Sequence, residues 1–299
     1  MLAIVIPYYN ATYFEKTLDS LSNQTNKNFK VYIGNDNSLE NPEPVLHKFK
    51  DKFNFEYFKF ETNLGSISLT KQWERCLNKI QDETWFIILG DDDFLEDNVV
   101  ESFYLNLQNL SHNFAVLRYS TVLVDESNNH LTEKFTHPKT EKSTDFLVRK
   151  IKGKTRSSLS EYVFKKEIYL KRKFYNFPLA WYSDDLAVLE SSNFGEILSI
   201  NNATVYIRIS STSISGNKEN ENSKTQASLQ FYILILNKYH NKFTKSQIKV
   251  ILERGERFYF KKMYFKESLF FFKFHIINQG VISTLKFLRR IVINYKFNE

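Results

Sequence analysis

Short apolar runs alternate with amphipathic stretches through the first two hundred residues. Residues 2–6 are unbroken apolar and close on Pro7-Tyr8-Tyr9-Asn10, which predicts a buried strand ending in a turn. Phe14, Leu18 and Leu21 follow at helical spacing, so 12–24 reads as an amphipathic helix. The pattern then repeats: a strand over 29–33 ending in Gly34-Asn35-Asp36-Asn37-Ser38, a helix over 44–49, and a strand over 55–60. A loop, Glu61-Thr62-Asn63-Leu64-Gly65, leads to a helix over 68–80 and a strand over 84–89. Farther on the pattern predicts a helix over 98–110, a strand over 114–124 and a polar segment over 125–157 with one helix, read as a mobile flap. Residues 160–163 lead into a helix over 166–171, and Trp181-Tyr182-Ser183-Asp184-Asp185 opens a helix ending near Ser191. Residues 197–200 and 204–209 read as a closing hairpin, and 210–227 as a linker or loop.

Strand–helix alternation with polar loops at the carboxyl ends of the strands predicts an α/β fold. It should be built on a mostly parallel sheet flanked by helices, with ligands at those strand ends. Asn10, Asp36 and the triplet Asp91-Asp92-Asp93 all fall on that edge. Three adjacent carboxylates after a buried strand repel one another and lose solvation unless a cation neutralises them. Oxygen-only ligands of this kind suit Mg²⁺ or Mn²⁺, which commonly hold substrate phosphates. The bland alternative is a solvated acidic turn.

Past residue 228 the pattern becomes purely helical, over 229–236, 248–258, 264–277 and 281–295. Val281, Leu285, Leu288, Val292 and Tyr295 trace one apolar face, with Lys286, Arg289, Arg290 and Lys296 elsewhere. Net charge sharpens the division. Of the chain's +7, residues 216–299 hold 16 Lys/Arg against 6 Asp/Glu, while the rest hold 25 against 28. Basic, aromatic, amphipathic helices suit an anionic membrane surface; packing on the first domain or on a second subunit is the alternative. The Phe-rich faces argue against nucleic acid as the tail's partner. A single cysteine, Cys76, excludes a disulfide framework and reads as a small buried hydrophobe on a helix. No basic segment precedes a long apolar run at the start, and no window is apolar enough to span a bilayer. The expectation is a cytoplasmic protein, peripheral on the inner face of the plasma membrane.

Five segments occur in a telling order: IVIPYYN, GNDNS, ETNLG, ILGDDD and YSDD. Together they resemble the family 2 glycosyltransferases of the GT-A fold over roughly residues 1–215, leaving 216–299 as a basic helical C-terminal extension. The resemblance implies a nucleotide-sugar donor, most simply a UDP-sugar, and transfer with inversion to a glycan or lipid-linked glycan in surface polysaccharide biosynthesis. It places Pro7 and Tyr9 at the nucleotide base and Asp36 on the base imide, an Asx-turn being the alternative for Asp36. Asn63 and Gly65 match a loop where backbone approaches the donor. Asp92 would be the principal Mn²⁺ or Mg²⁺ ligand, with Asp91 near the ribose or sugar and Asp93 beside them. Gly90 departs from the pattern, since many members have an acidic residue there. Asp184 and Asp185 match the acidic pair that supplies the catalytic base, Asp185 the better. A helix cap with first-turn charge is the structural alternative. Lys71, Arg156 and Arg208 read as surface side chains, with a phosphate or acceptor contact as the alternative.

Two enzyme classes fit poorly. A nucleotidyltransferase should carry a glycine-rich basic loop after its first strand, and IVIPYYNATYF has none; a haloacid-dehalogenase-type phosphatase needs Asp where Pro7 stands. The rival from outside enzymology is a degenerate transferase that scaffolds a glycan-assembly complex.

Overall fold

The computed structural model describes residues 1–108, 114–211, 213–263 and 265–296. The chain divides into two units, residues 1–220 and residues from 221 onward.

Successive side chains of a strand point to opposite faces, and in the first unit both faces are apolar. In β1 (Leu2–Tyr8), Ile4 and Ile6 pack against α1 (Phe14–Ser22), while Ala3 and Val5 face α3 (Leu69–Leu77). β1 pairs in parallel with β2 (Phe29–Asn35) and β4 (Trp85–Ile88), and β2 pairs in parallel with β3 (Phe55–Lys59). α2 (Glu43–Lys48) and α4 (Val99–Gln108) join α1 on one face. Leu18 and Phe14 are fully buried there, and truncating Leu18 to Ala would cost about 2–5 kcal/mol. α3 starts at Ser68, whose side chain accepts from the Lys71 N–H. As expected for Cys76, the side chain is buried in this helix, and burial pushes its thiol up to about 12.

Beyond β4 the sheet becomes mixed. β8 (Tyr162–Lys165) lies antiparallel between β4 and β6 (Val116–Val124), and β9 (Glu196–Arg208) runs parallel to β6. β5 (Phe94–Leu95) and β7 (Thr140–Lys142) add antiparallel to β9, giving the order β3-β2-β1-β4-β8-β6-β9-β5 with β7 off the path.

Several expectations change here. β8 was not foreseen. The hairpin expected over 197–209 is one strand; at Asn201-Asn202 it bulges opposite Tyr119 and Ser120 instead of turning. The segment 125–157 is tied to the sheet through β7 and through Asn201, whose side chain accepts from the His137 N–H at 3.0 Å and donates to its carbonyl at 2.7 Å. Part of the expected linker, from Glu221, is helix.

The segment's helix, α5 (Ser143–Ile151), is anchored by Glu141 in β7. Glu141 takes Arg118 at 2.5 Å and Arg149 at 2.9 Å, and Arg118, in β6, is wholly buried. α6 (Lys166–Tyr169) and α7 (Ser183–Ser191) complete this face.

The second unit contains α8 (Glu221–Lys238), α9 (Lys245–Tyr259), α10 (Phe265–Asn278) and α11 (Val281–Lys296). The predicted helix ends at 109–110 and at Tyr264 lie outside the described residues. α9 opens with a capping box between Thr244 and Gln247. At its far end buried Glu256 joins three helices: it pairs with His275 of α10 and with Arg290 of α11 at 2.7 Å, and His275 bonds Ser283 at 2.9 Å. Among the described residues no helix is long and apolar enough to cross a membrane.

Candidate active site

The parallel strands end on one edge, and their loops are tied together by carboxylates. Asp91, just past β4, accepts from the backbone N–H groups of Tyr9 (2.7 Å) and Asn10 (2.8 Å), which fixes the turn after β1. Pro7 is half-buried at that turn, and Tyr9 is 52% exposed, its ring open to a stacking partner. Asp36, past β2, accepts from the N–H groups of Leu64 (2.7 Å) and Gly65 (2.8 Å) and pairs with Arg75 of α3. A side chain at Gly65 would put Cβ 2.4 Å from Asp36 Oδ2, so only glycine lets the loop close on this carboxylate. Arg75 lies over the Phe60 ring at 4.0 Å and donates to the Thr62 carbonyl. Asn63 turns its side-chain oxygen to the N–H of Ser66. Asp36 is therefore more than a local Asx-turn: it joins β2, the 62–65 loop and α3.

The acidic triplet is caged. Thr17 of α1 donates to the Asp91 and Asp93 carbonyls, and Asp93 accepts from Ser160 Oγ (2.6 Å) and from the Arg208 N–H (2.9 Å). Arg208 is 2% exposed, so its surface reading gives way. Its guanidinium donates to the Asp92 carbonyl, the Asp125 carbonyl and Asn128 Oδ1, and lies 4.1 Å from the Tyr13 ring.

Asp92 differs from its neighbours. No other described residue donates to its carboxylate. Burial, with the charges of Asp93 and Asp91, pushes it up to about 8; burial alone is the main cause for Asp91, raised to about 6, and for Asp93, also raised. Gly90 leaves room for this side chain, because a Cβ there would sit 2.8 Å from Asp92 Oδ1. Any side chain in place of Gly90 would crowd that oxygen.

Among the described residues, no three Asp, Glu, His or Cys side chains converge as a preformed metal cage. Mg²⁺ and Mn²⁺ sites on phosphate substrates do not need one, because one or two carboxylates share the ion with the phosphates and water. Asp92, partnerless among three like charges, fits that mode; Asp91 and Asp93 are held by protein donors.

The second acidic group stands at the start of α7, after a turn in which Leu179 (φ 57°), Ala180 (φ 52°) and Tyr182 (φ 70°) are all left-handed. Such strain in non-glycine residues costs about 1–3 kcal/mol each and gathers at functional sites. Asp185 is 3% exposed and both its oxygens accept from Lys150 Nζ of α5, at 2.7 and 2.5 Å. Lys150 also lies 5.2 Å from the Tyr182 ring. Burial pulls the lysine pKa down, but the charges of Asp185 and Asp184 outweigh it and the net shift is upward. Asp184 takes no described side-chain donor; burial and the Asp185 charge push it up to about 6.

The 3₁₀ turn Leu159–Glu161 carries groups that face both acidic centres. Ser160 accepts from the Gly90 N–H and donates to Asp93. Glu161 is wholly buried and pushed up to about 7 by burial, against the pull of Arg156, which bonds it at 3.1 Å. Arg156 also donates to Thr121 Oγ1, so it is a strut on the sheet rather than a free surface arginine. Lys71 is exposed on the first turn of α3, as read.

Sequence reasoning missed Lys150, Arg75 and Ser160. Ser158 and Glu161 form a capping box, a signal present in the sequence as S-x-x-E. Nothing local marks Lys150, whose role depends on α5 packing beside α7.

The strand-end site and the sheet order define the GT-A class of fold. S. aureus TarS 1-349 in complex with UDP-GlcNAc superposes with a TM-score of 0.67 at 15% identity, over 91% of this chain and 79% of that one. The mannosyltransferase PcManGT from Pyrobaculum calidifontis in complex with GDP-Man and Mn²⁺ gives 0.58 at 9% identity, over 98% and 79%. The chain belongs to glycosyl transferase family 2, whose model matches residues 3–182. An uncharacterized glycosyltransferase of Rickettsia prowazekii (strain Madrid E) is 29% identical over 133 residues, 44% of this chain and 39% of that protein. Glycosyltransferase GlyA of Streptococcus pneumoniae serotype 4 is 25% identical over 119 residues, 40% of this chain and 16% of that protein. The chain thus aligns with less than half the length of either relative.

Proposed function

We propose that the protein is an inverting glycosyltransferase. It takes a sugar from a nucleotide donor, a UDP-sugar first among them, to a glycan or lipid-linked glycan at the cytoplasmic face of a membrane, in surface polysaccharide synthesis. The observation that supports this best is the division of labour within the acidic triplet: two carboxylates build the loops, and one is left without a partner beside them. TarS has been solved with UDP-GlcNAc and with UDP, which supports a UDP-sugar donor here.

In this reading Pro7 and the exposed Tyr9 ring receive the base. Asp36 keeps the 63–65 loop closed, and the one lone pair left on Oδ2 is there for the base imide. Asp92 holds Mn²⁺ or Mg²⁺, which would neutralise charge on the departing nucleoside diphosphate. Asp91 and Asp93 keep the turn in shape around it. Lys71, Arg156 and Arg208 lie outside the transfer step.

The Asp184–Asp185 pair supplies the base that takes the acceptor hydroxyl's proton as the oxygen attacks opposite the leaving group. The family resemblance gives that role to Asp185, and its fixed position on Lys150 supports it. A second reading rests on Asp184, whose raised carboxyl and lack of a side-chain donor suit a base working near neutrality.

The test is release of nucleoside diphosphate from a panel of nucleotide sugars, with Mn²⁺ present. Turnover of one donor, with the anomeric configuration of the product inverted, is expected. Release from none of them by folded protein would favour the scaffold reading.

A further inference from the structure

Helix α11 carries one good apolar stripe, and the structure turns that stripe outward. Val281, Leu285, Leu288 and Val292 are 75, 60, 38 and 56% exposed, while the helix packs through Thr284, Phe287 and the polar contacts of Ser283 and Arg290. (The side chain of Tyr295, the stripe's fifth member, lies outside the described residues.) On either side of the turn at Gly280, Ile277 and Ile282 are also 78 and 73% exposed. Amphipathic helices in water bury their apolar side. This one docks through a different face, centred on the buried Phe287 ring, and leaves the stripe free for something else.

We infer that α11 lies in the plane of an anionic bilayer, with this stripe among the acyl chains. Charge selects the occupant. Exposed Lys286 and Arg289 lie along one side of the stripe, and the helix has no acidic residue from end to end. Two copies joined stripe to stripe would bring these cations together with nothing on the helix to offset them. Anionic headgroups supply the opposite charge, and a helix with an apolar stripe and Lys/Arg flanks is the form that binds at that interface. The inference deepens the transferase reading by naming where a lipid-linked acceptor would be met, and rests on that reading only for this purpose.

The test is co-sedimentation of the full chain, without donor, with vesicles of phosphatidylcholine alone or mixed with phosphatidylglycerol. Binding to the anionic vesicles is expected, at least tenfold weaker on phosphatidylcholine. It should fall at least tenfold in Leu285→Glu/Val292→Glu and, separately, in Lys286→Glu/Arg289→Glu. Both pairs are exposed, so melting curves should be unchanged, and the charge pair keeps the test open if the first does not fold. Absence of vesicle binding would overturn the inference, as would equal sedimentation of the variants. A concentration-dependent dimer abolished by the same substitutions would assign the stripe to a second copy instead. Titration of UDP, GDP, CDP and dTDP in parallel separates the two claims, because binding of none of them by the unaltered protein would sink the transferase reading and leave the vesicle result standing.

Discussion

The two acidic centres of this protein are built alike and neutralised differently. Each is a run of adjacent carboxylates at the end of a buried element, and in each some members are bound by the protein while one is not. Around Asp91–Asp93 the donors to the carboxylates are neutral: backbone N–H groups and a serine. Arg208 and Arg156 offset part of the charge there, but no described cation bonds one of the carboxylates, and all three carboxyls are pushed upward by burial. At Asp184–Asp185 a lysine sits in the pair, so the protein supplies its own cation. In the proposed reading the first centre leaves Asp92 for a divalent ion that arrives with the donor's diphosphate. The second holds a lysine on Asp185, while Asp184 beside it is still pushed up to about 6 by burial and the Asp185 charge.

The largest effect that could break this contrast comes from the base. Asp185→Asn should lower kcat by about 10²–10⁴-fold, the usual worth of a general base, and leave UDP affinity within threefold. Asp184→Asn made alongside decides between the two carboxylates: the one whose loss costs more is the proton acceptor, and near-normal turnover by both variants would remove the pair from the mechanism. Next in size is Glu141→Ala. It strips the partner from buried Arg118 and frees α5, and removing one member of a buried pair costs about 3–5 kcal/mol. Thermal denaturation should show it, and an unchanged melting temperature would contradict the anchoring role of Glu141.

Lys150→Met sharpens the comparison by making the second centre resemble the first. Without the ammonium the Asp184 carboxyl, already pushed up by burial and the Asp185 charge, loses the Lys150 pull that holds it down, so its ionised form is lost at a higher pH on acidification. The acidic limb of the kcat/KM profile should move up by about one unit, a shift worth ~1.4 kcal/mol of lost charge stabilisation. A profile that falls in height without moving would leave Lys150 a packing role only. Smallest is Gly65→Ala, whose methyl must displace Asp36 Oδ2. Donor KM should rise by about tenfold with kcat nearly unchanged, and an unaltered KM would show the 62–65 loop to be remote from the donor.

The parallel half of the fold was legible because its signals are local. β1, β2 and β4 are apolar runs closed by turn residues, and α1 shows its period plainly, so Asp36 and the triplet could be set on one edge from sequence. What failed depended on partners distant in the chain. Residues 162–165 make too short an apolar run to announce a strand, and β8 exists because β4 and β6 leave a slot between them. Asn201-Asn202 carries a turn signal, but there β9 bulges and Asn201 holds His137 instead. Arg208 looked like a surface cation because charge normally is, and only the fold shows three acceptors around it. The stripe on α11 was read correctly as a pattern. Its direction could not be, since it is set by Phe287 and the Glu256 cluster, which turn a different face of the helix inward. In the site, the residues that bind loops can be told from those left open only by knowing which N–H groups lie nearby.

The central claim is that Asp92 is the carboxylate left for a metal-bridged diphosphate. Calorimetric titration of UDP, GDP, CDP and dTDP, with and without Mn²⁺, against the unaltered protein and Asp92→Asn tests it directly. The expected result is binding of one nucleotide, UDP, strengthened by Mn²⁺ in the unaltered protein and indifferent to Mn²⁺ in the variant. Equal metal dependence in both would place the ion elsewhere, and no binding of any nucleotide by folded protein would contradict the claim and return the chain to the scaffold reading.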